Sequence, residues 1–577
     1  MNIFAFLRKR KPIPEPWAKY YTKEELNIKI PNISLYDQVK KSSYLYPNNI
    51  AYEYMGYKCT YKDFIKEINE YAKVFVNSGI KHGDIVTIML PNIPNVLISL
   101  YALNKIGAIA NMVHPLSSEE EILFSLESTQ SKELIMLNTF YEKIENIIDK
   151  TNIEKVIFTS PADYMPLFLK IGYSVSQISK HKKYPKKDMY FCWKSFYKRF
   201  HTNESFKFPK FGKDTPAVII HSGGTSGIPK NVVIQNRAFI LGALQENICM
   251  KNLNPGDCCL AIMPNFHGFG LSVLMHTPLA LGCYTILVPK FDAKKFDILF
   301  KKKKPSCVLG VPTLYEALMN SNNVKNLDLS NLKYIVSGGD ILPKSLENKM
   351  NIYLKEHNSP GKITQGYGLS EALAAVCLAC DDVNKSGSCG IPLPGNQVKI
   401  IDPATRKTLK FSEVGEICVH SKAFMQGYLN NESETNTALQ IHKDGHIWLH
   451  TGDLGYMDSD GFVFYKGRIK RMIVSSGYNV YPSHIEEVIE SHPAVLQCTV
   501  VGVPHPYKQE VPKAFIVLKD GYIAMFIKDD IKAYCKKKLS KYMIPSEFVF
   551  RKRLPKTKLG KVDFKTLQKD TRGDYDE

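Results

Sequence analysis

The stretch HSGGTSGIPKNVV, His221 to Val233, gathers three glycines, the hydroxyls of Ser222, Thr225 and Ser226, and one lysine, Lys230. Glycines let backbone N–H groups approach an anion closely, hydroxyls add donors and a lysine adds positive charge, so this composition suits phosphate. A glycine-rich hairpin without a ligand is the competing reading. A Walker loop is excluded, because it needs GxxxxGK followed by Ser or Thr at the start of a helix. Here Pro229 precedes Lys230 and Asn231 follows it.

Four more polar, glycine-bearing clusters stand at the ends of apolar runs: YIVSGGDILP (Tyr334 to Pro343), TQGYGLSEA (Thr364 to Ala372), LHTGDLGYMD (Leu449 to Asp458) and LPKTKLGKVD (Leu554 to Asp563). They supply carboxylates at Asp340, Glu371 and Asp453 and a lysine at Lys561. In α/β proteins, ligands collect in clefts at the carboxyl ends of strands, so clusters this far apart predict one composite site.

The elements that must hold these clusters follow from apolar spacing. Ala217 to Ile220 and Val232 to Ile234 are short, mostly β-branched runs, which makes the first loop a strand–turn–strand. Helical periodicity as in Tyr61 to Val76 alternates with strand-like runs such as Cys307 to Val311 and Tyr334 to Ser337, up to about residue 465. That alternation predicts α/β architecture with largely buried sheets. Ile85 to Leu116 reads as a buried helix and strand. Beyond FYKGRIKRMIV the texture changes to a helix at Ser483 to His492, strands QCTVVGV and KAFIVL, and a basic helix around Ile531 to Lys541. The expectation is a large multi-subdomain α/β domain over 1–469 and a smaller, mobile α+β domain over 470–577.

Composition narrows the class. A chain of 577 residues, 44% hydrophobic and 23% charged, has the profile of a multidomain globular protein. No apolar run reaches the roughly 18 to 20 residues of a membrane span. MNIFAFLRKRK places its apolar residues before its charges, the reverse of a secretory signal, so cytoplasmic residence is expected. The same segment suits peripheral contact with the inner membrane face, with Phe4, Phe6 and Leu7 in the bilayer surface and Arg8 to Lys11 on anionic lipid. Thirteen scattered cysteines predict reduced thiols, and the lone CxxC at Cys377 and Cys380 reads as two small core residues. The net charge of +20 is lysine-dominated and lacks zinc-finger spacing or an aromatic-basic RNA motif, so no nucleic acid partner is expected. A serine hydrolase is excluded by the absence of GxSxG.

Taken in order from about Thr60 to Lys561, these motifs resemble those of the adenylate-forming (AMP-binding) superfamily, and the segment SPADYMPLFLKIGYSVSQ, Ser160 to Gln177, with the basic insertion that follows it resembles long-chain fatty acyl-CoA synthetases. HSGGTSGIPKNVV looks like the family's phosphate loop, MPNFHGFG its aromatic-histidine segment and QGYGLSEA its adenine and magnesium segment. TGDLGYMDSDGF resembles the ribose segment, GRIKRMI the hinge, and LPKTKLGKVD the segment with the C-terminal catalytic lysine.

The resemblance implies an acid–thiol ligase that uses ATP, Mg2+ and CoA. A fatty acid is activated to an acyl-adenylate with loss of pyrophosphate, then passed to CoA with loss of AMP; the alternative acceptor is the arm of an acyl carrier protein. It assigns the β- and γ-phosphates to Ser222, Gly223, Gly224, Thr225, Ser226, Gly227 and Lys230. Magnesium falls to Glu371 and Thr225 with Ser370 nearby. Adenine falls to Gly338, Gly339, Asp340, Tyr367 and Gly368, and the ribose to Asp453 assisted by Arg468. His267 stands beside the reacting carboxylate and Lys561 bridges it to the α-phosphate. Lys470 is the hinge, and Gly477 lets the thiol arm pass. Phe266-His267 occupies the place where peptide-synthetase adenylation domains carry an Asp for a substrate ammonium, which disfavours amino acids. The apolar run Phe269 to Gly282 suits an acyl chain. Three positions depart from the family pattern: the Gly-Gly-Thr-Ser-Gly loop core, Asn231 after the lysine, and Gln509 in place of a glycine.

Overall fold

A computed structural model describes residues 15–177, 184–222, 229–321, 326–373, 375–380, 382–475, 478–556 and 562–570. The chain forms two compact units, each discontinuous in sequence. The first comprises Met1–Gly339, Asn348–Gln397 and His420–Leu449, and the second comprises Asp340–Glu347, Val398–Val419 and His450–Glu577.

Two large sheets build the first unit. In one, Ile109–Met112, Ile85–Met89, Glu133–Leu137, Lys155–Thr159 and Tyr190–Cys192 run parallel. Pro216–Ser222 joins the other side of Ile109–Met112 in parallel and is followed by antiparallel Lys230–Gln235. Strands buried on both faces read as continuous apolar runs, which is why Val86, Ile88, Leu134, Ile135 and Met136 are all inaccessible to water. The other sheet has nine strands. Ile363–Gly368, Tyr334–Ser337, Cys307–Gly310, Cys258–Ala261, Tyr284–Leu287 and Ile50–Tyr54 form its parallel centre.

Helix boundaries follow local chemistry. Thr60 caps Tyr61–Ser78 by accepting from the Asp63 N–H. The helix Pro94–Ile106 is buried on nearly every face and ends at Gly107, where φ is +75° and an added Cβ would lie 2.4 Å from the Phe211 ring. Only glycine fits there.

In the second unit, the strand residues from Asp453 to Met457 pair antiparallel with Val463–Arg468. A further sheet of Tyr478–Val480, Ile473–Ser475, Gln509–Leu518 and Val495–His505, with Glu547–Phe550 parallel to Gln509–Leu518, carries the helices Pro482–Glu490 and Ala524–Lys538. Ile485, Ile489, Val500, Ile516, Ile531 and Cys535 share its core. This is the α+β texture expected of the C-terminal region, beside the expected α/β first unit.

One expectation needs correction. Cys249 and Cys380 are joined in a disulfide across a sequence separation of 131, so the thiols are not all reduced and Cys380 is not merely a small core residue. The last residue of the helix Asn236–Cys249 meets the chain just beyond the strand Ala375–Leu378, with the two Cα atoms 4.2 Å apart. Spacing along the sequence carries no trace of that approach. Cys377 is a buried free thiol. Among the described residues, no helix is long and apolar enough to cross a membrane.

Candidate active site

The first loop hangs on the closing rungs of an antiparallel ladder, where His221 faces Asn231 and Ser222 faces Lys230. Gly223, Gly224, Thr225, Ser226 and Gly227 lie outside the described residues. His221 is half-buried, with Nε2 2.8 Å from Asn111 Oδ1, and desolvation pushes its pKa down to about 4. It is neutral near pH 7, so the positive charge of the loop belongs to Lys230. The Lys230 ammonium contacts Glu434 Oε2 at 2.5 Å and lies 4.7 Å over the Tyr428 ring. Tyr428 is brought there by the strand Gly427–Tyr428, which pairs with Val232 and Val233.

Glu371 lies in the tight turn Ser370–Ala372, just beyond the strand Ile363–Gly368. Its Oε1 accepts from the Tyr428 hydroxyl at 2.8 Å, and its backbone carbonyl accepts from the Met425 N–H at 2.7 Å. Leu373 then adopts φ +65°, a conformation that costs a non-glycine residue roughly 1–3 kcal/mol. The consequence is close packing: a Cβ on Gly268 would fall 1.5 Å from the Leu373 carbonyl oxygen. A Cβ on Gly338 would lie 3.5 Å from the Phe269 ring. His267-Gly268-Phe269 is thus lodged between the Glu371 turn and the end of the strand Tyr334–Ser337. Gly339 takes φ +78° there, and Tyr367 is buried in the adjoining strand. His267 Nδ1 accepts from the Phe269 N–H at 3.3 Å, and the Phe266 ring stands 4.1 Å from that of His114. Phe269–His276 then forms a π-helix, rare and typical of functional sites.

Oxygen donors dominate at Glu371 and Ser370, and a hard cation such as Mg2+ takes oxygen ligands. The residues present therefore fit magnesium, with Glu371 as the charged ligand; Thr225 falls among the residues not described.

In the second unit, Asp453 and Arg468 face one another across the strand pair. Arg468 Nε lies 2.8 Å from Asp453 Oδ1, and the carboxylate is buried while the guanidinium is half exposed. Thr451 Oγ1 accepts from the Asp453 N–H at 3.0 Å and donates to the Ile417 carbonyl at 2.7 Å, which fixes the turn before the carboxylate. Tyr465 is half-buried nearby, and desolvation together with the charge of Asp453 holds its phenol protonated well beyond the ordinary range. Asp340 accepts from the Ile341 N–H at 2.9 Å. Lys470 belongs to the short turn Ile469–Arg471. Gly477 and Lys561 lie outside the described residues.

A family model described as AMP-binding enzyme matches residues 39–429, and one described as AMP-binding enzyme C-terminal domain matches residues 484–561. The chain belongs to the AMP-binding enzyme family. It is 33% identical over 553 residues to a long-chain-fatty-acid–CoA ligase of Bacillus subtilis (strain 168), covering 95% of this chain and 96% of that one. It is 28% identical over 555 residues to a long-chain-fatty-acid–CoA ligase of Escherichia coli O157:H7, with 94% and 95% covered. The crystal structure of the anthranilate CoA ligase AuaEII with anthranoyl-AMP superposes with a TM-score of 0.80 at 23% identity, over 94% of this chain and 98% of that one. That last likeness concerns the fold. Sequence reasoning missed Tyr428 and Glu434, whose partners Glu371 and Lys230 lie 57 and 204 residues away along the chain, and Thr451, which links Asp453 to Ile417. A tyrosine beside a glycine in GYLN carries no signal that singles it out.

Proposed function

We propose that this protein is an AMP-forming fatty acyl-CoA ligase. The observation that carries this reading is the match along 95% of the chain to a long-chain-fatty-acid–CoA ligase, together with the retained Glu371, Asp453, Arg468 and Lys561. The CoA ligase names of the relatives favour CoA over a carrier protein as acceptor.

In the first step a carboxylate oxygen of the fatty acid attacks the α-phosphorus of ATP. A new P–O bond forms, the bond to the β-phosphate oxygen breaks, and pyrophosphate leaves. Ser222 to Gly227 and Lys230 hold the β- and γ-phosphates, Lys230 exchanging Glu434 for phosphate. Gly338, Gly339, Asp340, Tyr367 and Gly368 hold adenine, and Asp453 accepts from the ribose hydroxyls while Arg468 fixes its orientation. His267 steadies the carboxylate, and Lys561 bridges it to the α-phosphate as charge gathers between them. Magnesium, when held by Glu371 and Thr225 with Ser370 close by, neutralises the phosphate oxygens.

In the second step the CoA sulfur attacks the acyl carbon, the C–O bond to phosphate breaks, and AMP leaves with the thiol proton lost to solvent. The 470–577 domain turns about Lys470 between the steps, withdrawing Lys561 from 1–469 and bringing Gly477 to the thiol arm. Carboxylate-dependent ATP–pyrophosphate exchange across acetate to oleate, followed by CoA addition, tests the reading. Exchange peaking at long chains with CoA-dependent thioester supports it; no exchange with any carboxylate overturns it.

A peripheral membrane contact is favoured by one surface feature. The helix Leu167–Gln177 exposes Leu167, Phe168 and Ile171, which share one face at helical spacing, and Lys170 lies on the same helix. With the N-terminal Phe4, Phe6 and Leu7, this face dips into anionic bilayers. Cosedimentation with phosphatidylserine vesicles but not with neutral ones is the expected result, and its loss in a Phe168→Asp variant ties the contact to this helix.

A further inference from the structure

We infer that Glu416, Cys418 and His450 form a binding site for a divalent zinc-class cation. Glu416 and Cys418 are two residues apart on the strand Gly415–Ser421, so their side chains leave the same face. His450 lies on the neighbouring strand Ile447–Met457. One ligand atom from each lies within 4.8 Å of the others. His450 Nδ1 is 3.0 Å from Glu416 Oε2 and 3.8 Å from Cys418 Sγ. Zinc–ligand bonds of about 2.0 Å to nitrogen and oxygen and about 2.3 Å to sulfur place tetrahedral neighbours about 3.3–3.5 Å apart, so the two edges at His450 lie near those of such a polyhedron, and the third, between Glu416 and Cys418, lies within 4.8 Å.

The hydrogen bonding around His450 is the second observation. Arg406 Nη1 lies 2.7 Å from the same Nδ1 that lies 3.0 Å from Glu416 Oε2. A guanidinium only donates and a carboxylate only accepts. If Nδ1 carries a proton, it satisfies Glu416 and opposes Arg406; if it lacks one, it satisfies Arg406 and turns a lone pair toward Glu416. Arg406 Nη1 also reaches Glu416 Oε2 at 3.5 Å, so the tautomer that suits Arg406 leaves the guanidinium serving both groups while a ring lone pair stands 3.0 Å from the carboxylate oxygen. A cation among Nδ1, Oε2 and Sγ satisfies all three as ligands and replaces the positive charge of Arg406. Arg406 occupies a turn and its side chain is half exposed, so it swings into solvent without disturbing a packed neighbour.

The donor set selects the metal. A thiolate and an imidazole favour zinc and its neighbours over magnesium or calcium, and three protein ligands leave a fourth position for water. Binding proceeds with the Cys418 thiol proton released to solvent, so thiolate and carboxylate together balance the dication. Glu416 Oε1 meanwhile keeps the Gly452 N–H at 3.1 Å. This site is independent of the reaction assigned to the chain.

The test uses tag-free, full-length protein kept reduced with a phosphine, titrated with Co2+ and then Zn2+ against a chelating dye. One Co2+ per chain with a thiolate-to-cobalt charge-transfer absorption is expected, abolished in Cys418→Ser and weakened at least tenfold in His450→Gln. Cys192→Ser, which removes the exposed thiol elsewhere, leaves it unchanged. Arg406→Ala tightens binding severalfold, an outcome that a purely structural Arg406–His450–Glu416 network does not produce. Should Cys418→Ser not fold, Arg406→Ala decides alone. Absence of the charge-transfer band in the unaltered protein, its persistence in Cys418→Ser, or unchanged or weaker affinity in Arg406→Ala overturns the site.

Discussion

The Tyr428 hydroxyl donates to Glu371 Oε1 at 2.8 Å, so the carboxylate assigned to magnesium has one oxygen held in place by a phenol 57 residues further along the chain. Burial and the Glu371 charge keep that phenol protonated, and therefore a donor, throughout the working pH range. Hydrogen bonds to charged groups contribute about 1.5–3 kcal/mol. Tyr428→Phe is therefore expected to lower kcat/KM for adenylate formation about tenfold and to raise the magnesium concentration needed for half-maximal exchange, as measured by pyrophosphate exchange against Mg2+. Glu371→Gln, which removes the charge itself, is expected to cost more than Tyr428→Phe in the same assay.

Asp453 is buried and Arg468 is half exposed, and their ion pair at 2.8 Å holds the orientation of the carboxylate assigned to the ribose. Asp453→Asn is expected to reduce kcat/KM for ATP about a hundredfold, the loss of two hydrogen bonds to a charged acceptor. Isothermal titration with ATP should show the same loss in affinity. An unchanged ATP affinity would remove Asp453 from the nucleotide site.

Lys561 is assigned to the first half-reaction alone. Lys561→Ala is expected to depress pyrophosphate exchange by about a hundredfold, near 3 kcal/mol, the usual cost of losing a preorganised partner of developing charge. Thioester formation from pre-made acyl-adenylate and CoA should change little. Equal loss in both half-reactions would contradict a domain rotation that withdraws this lysine.

Gln509 has φ +66° where the hairpin joining Val495–His505 to Gln509–Leu518 closes, with His505 opposite Gln509. The left-handed conformation costs an L-residue roughly 1–2 kcal/mol, part of which glycine recovers against its own entropy. Gln509→Gly is expected to stabilise the protein by up to about 1 kcal/mol without altering kcat, seen as a higher midpoint in urea.

His221 gives the fold an acid limit. Its folded pKa is about 4 against 6.5 for the free side chain, so between those values the unfolded chain binds a proton that the folded chain refuses. Stability is fully present above pH 6.5 and falls as pH drops toward 4, by at most about 3 kcal/mol from this residue. His221→Gln should flatten that part of a urea-midpoint profile from pH 7 to pH 4.5, leaving the alkaline limb unchanged.

Local chemistry made much of this legible. The runs Ala217 to Ile220 and Val232 to Ile234 became the strands Pro216–Ser222 and Lys230–Gln235, and Tyr334 to Ser337 is a strand with those bounds. Tyr61 to Val76 became the helix Tyr61–Ser78, and Ser483 to His492 became Pro482–Glu490. The basic helix expected around Ile531 to Lys541 starts earlier, at Ala524, and ends at Lys538, because Ile527 and Ile531 pack into the core and extend its apolar stripe toward the N-terminus. The family resemblance named Glu371, Asp453 and Arg468, and the structure brings the last two within 2.8 Å of each other. Contacts set by tertiary approach were invisible: Tyr428 against Glu371, Glu434 against Lys230, Cys249 against Cys380, and His450 beside Glu416 and Cys418. Each joins residues whose types are ordinary and whose separation follows no period.

The discontinuity of the two units has a consequence for synthesis. The first draws its last segment from His420–Leu449, and the second reaches back to Asp340–Glu347 and Val398–Val419. A ribosome must therefore release nearly four-fifths of the chain before the first unit holds all its strands. No cut at a single peptide bond leaves both units whole, so recombinant production in pieces calls for co-expression of both parts, and chaperone demand during translation falls on the long interval before Leu449 emerges.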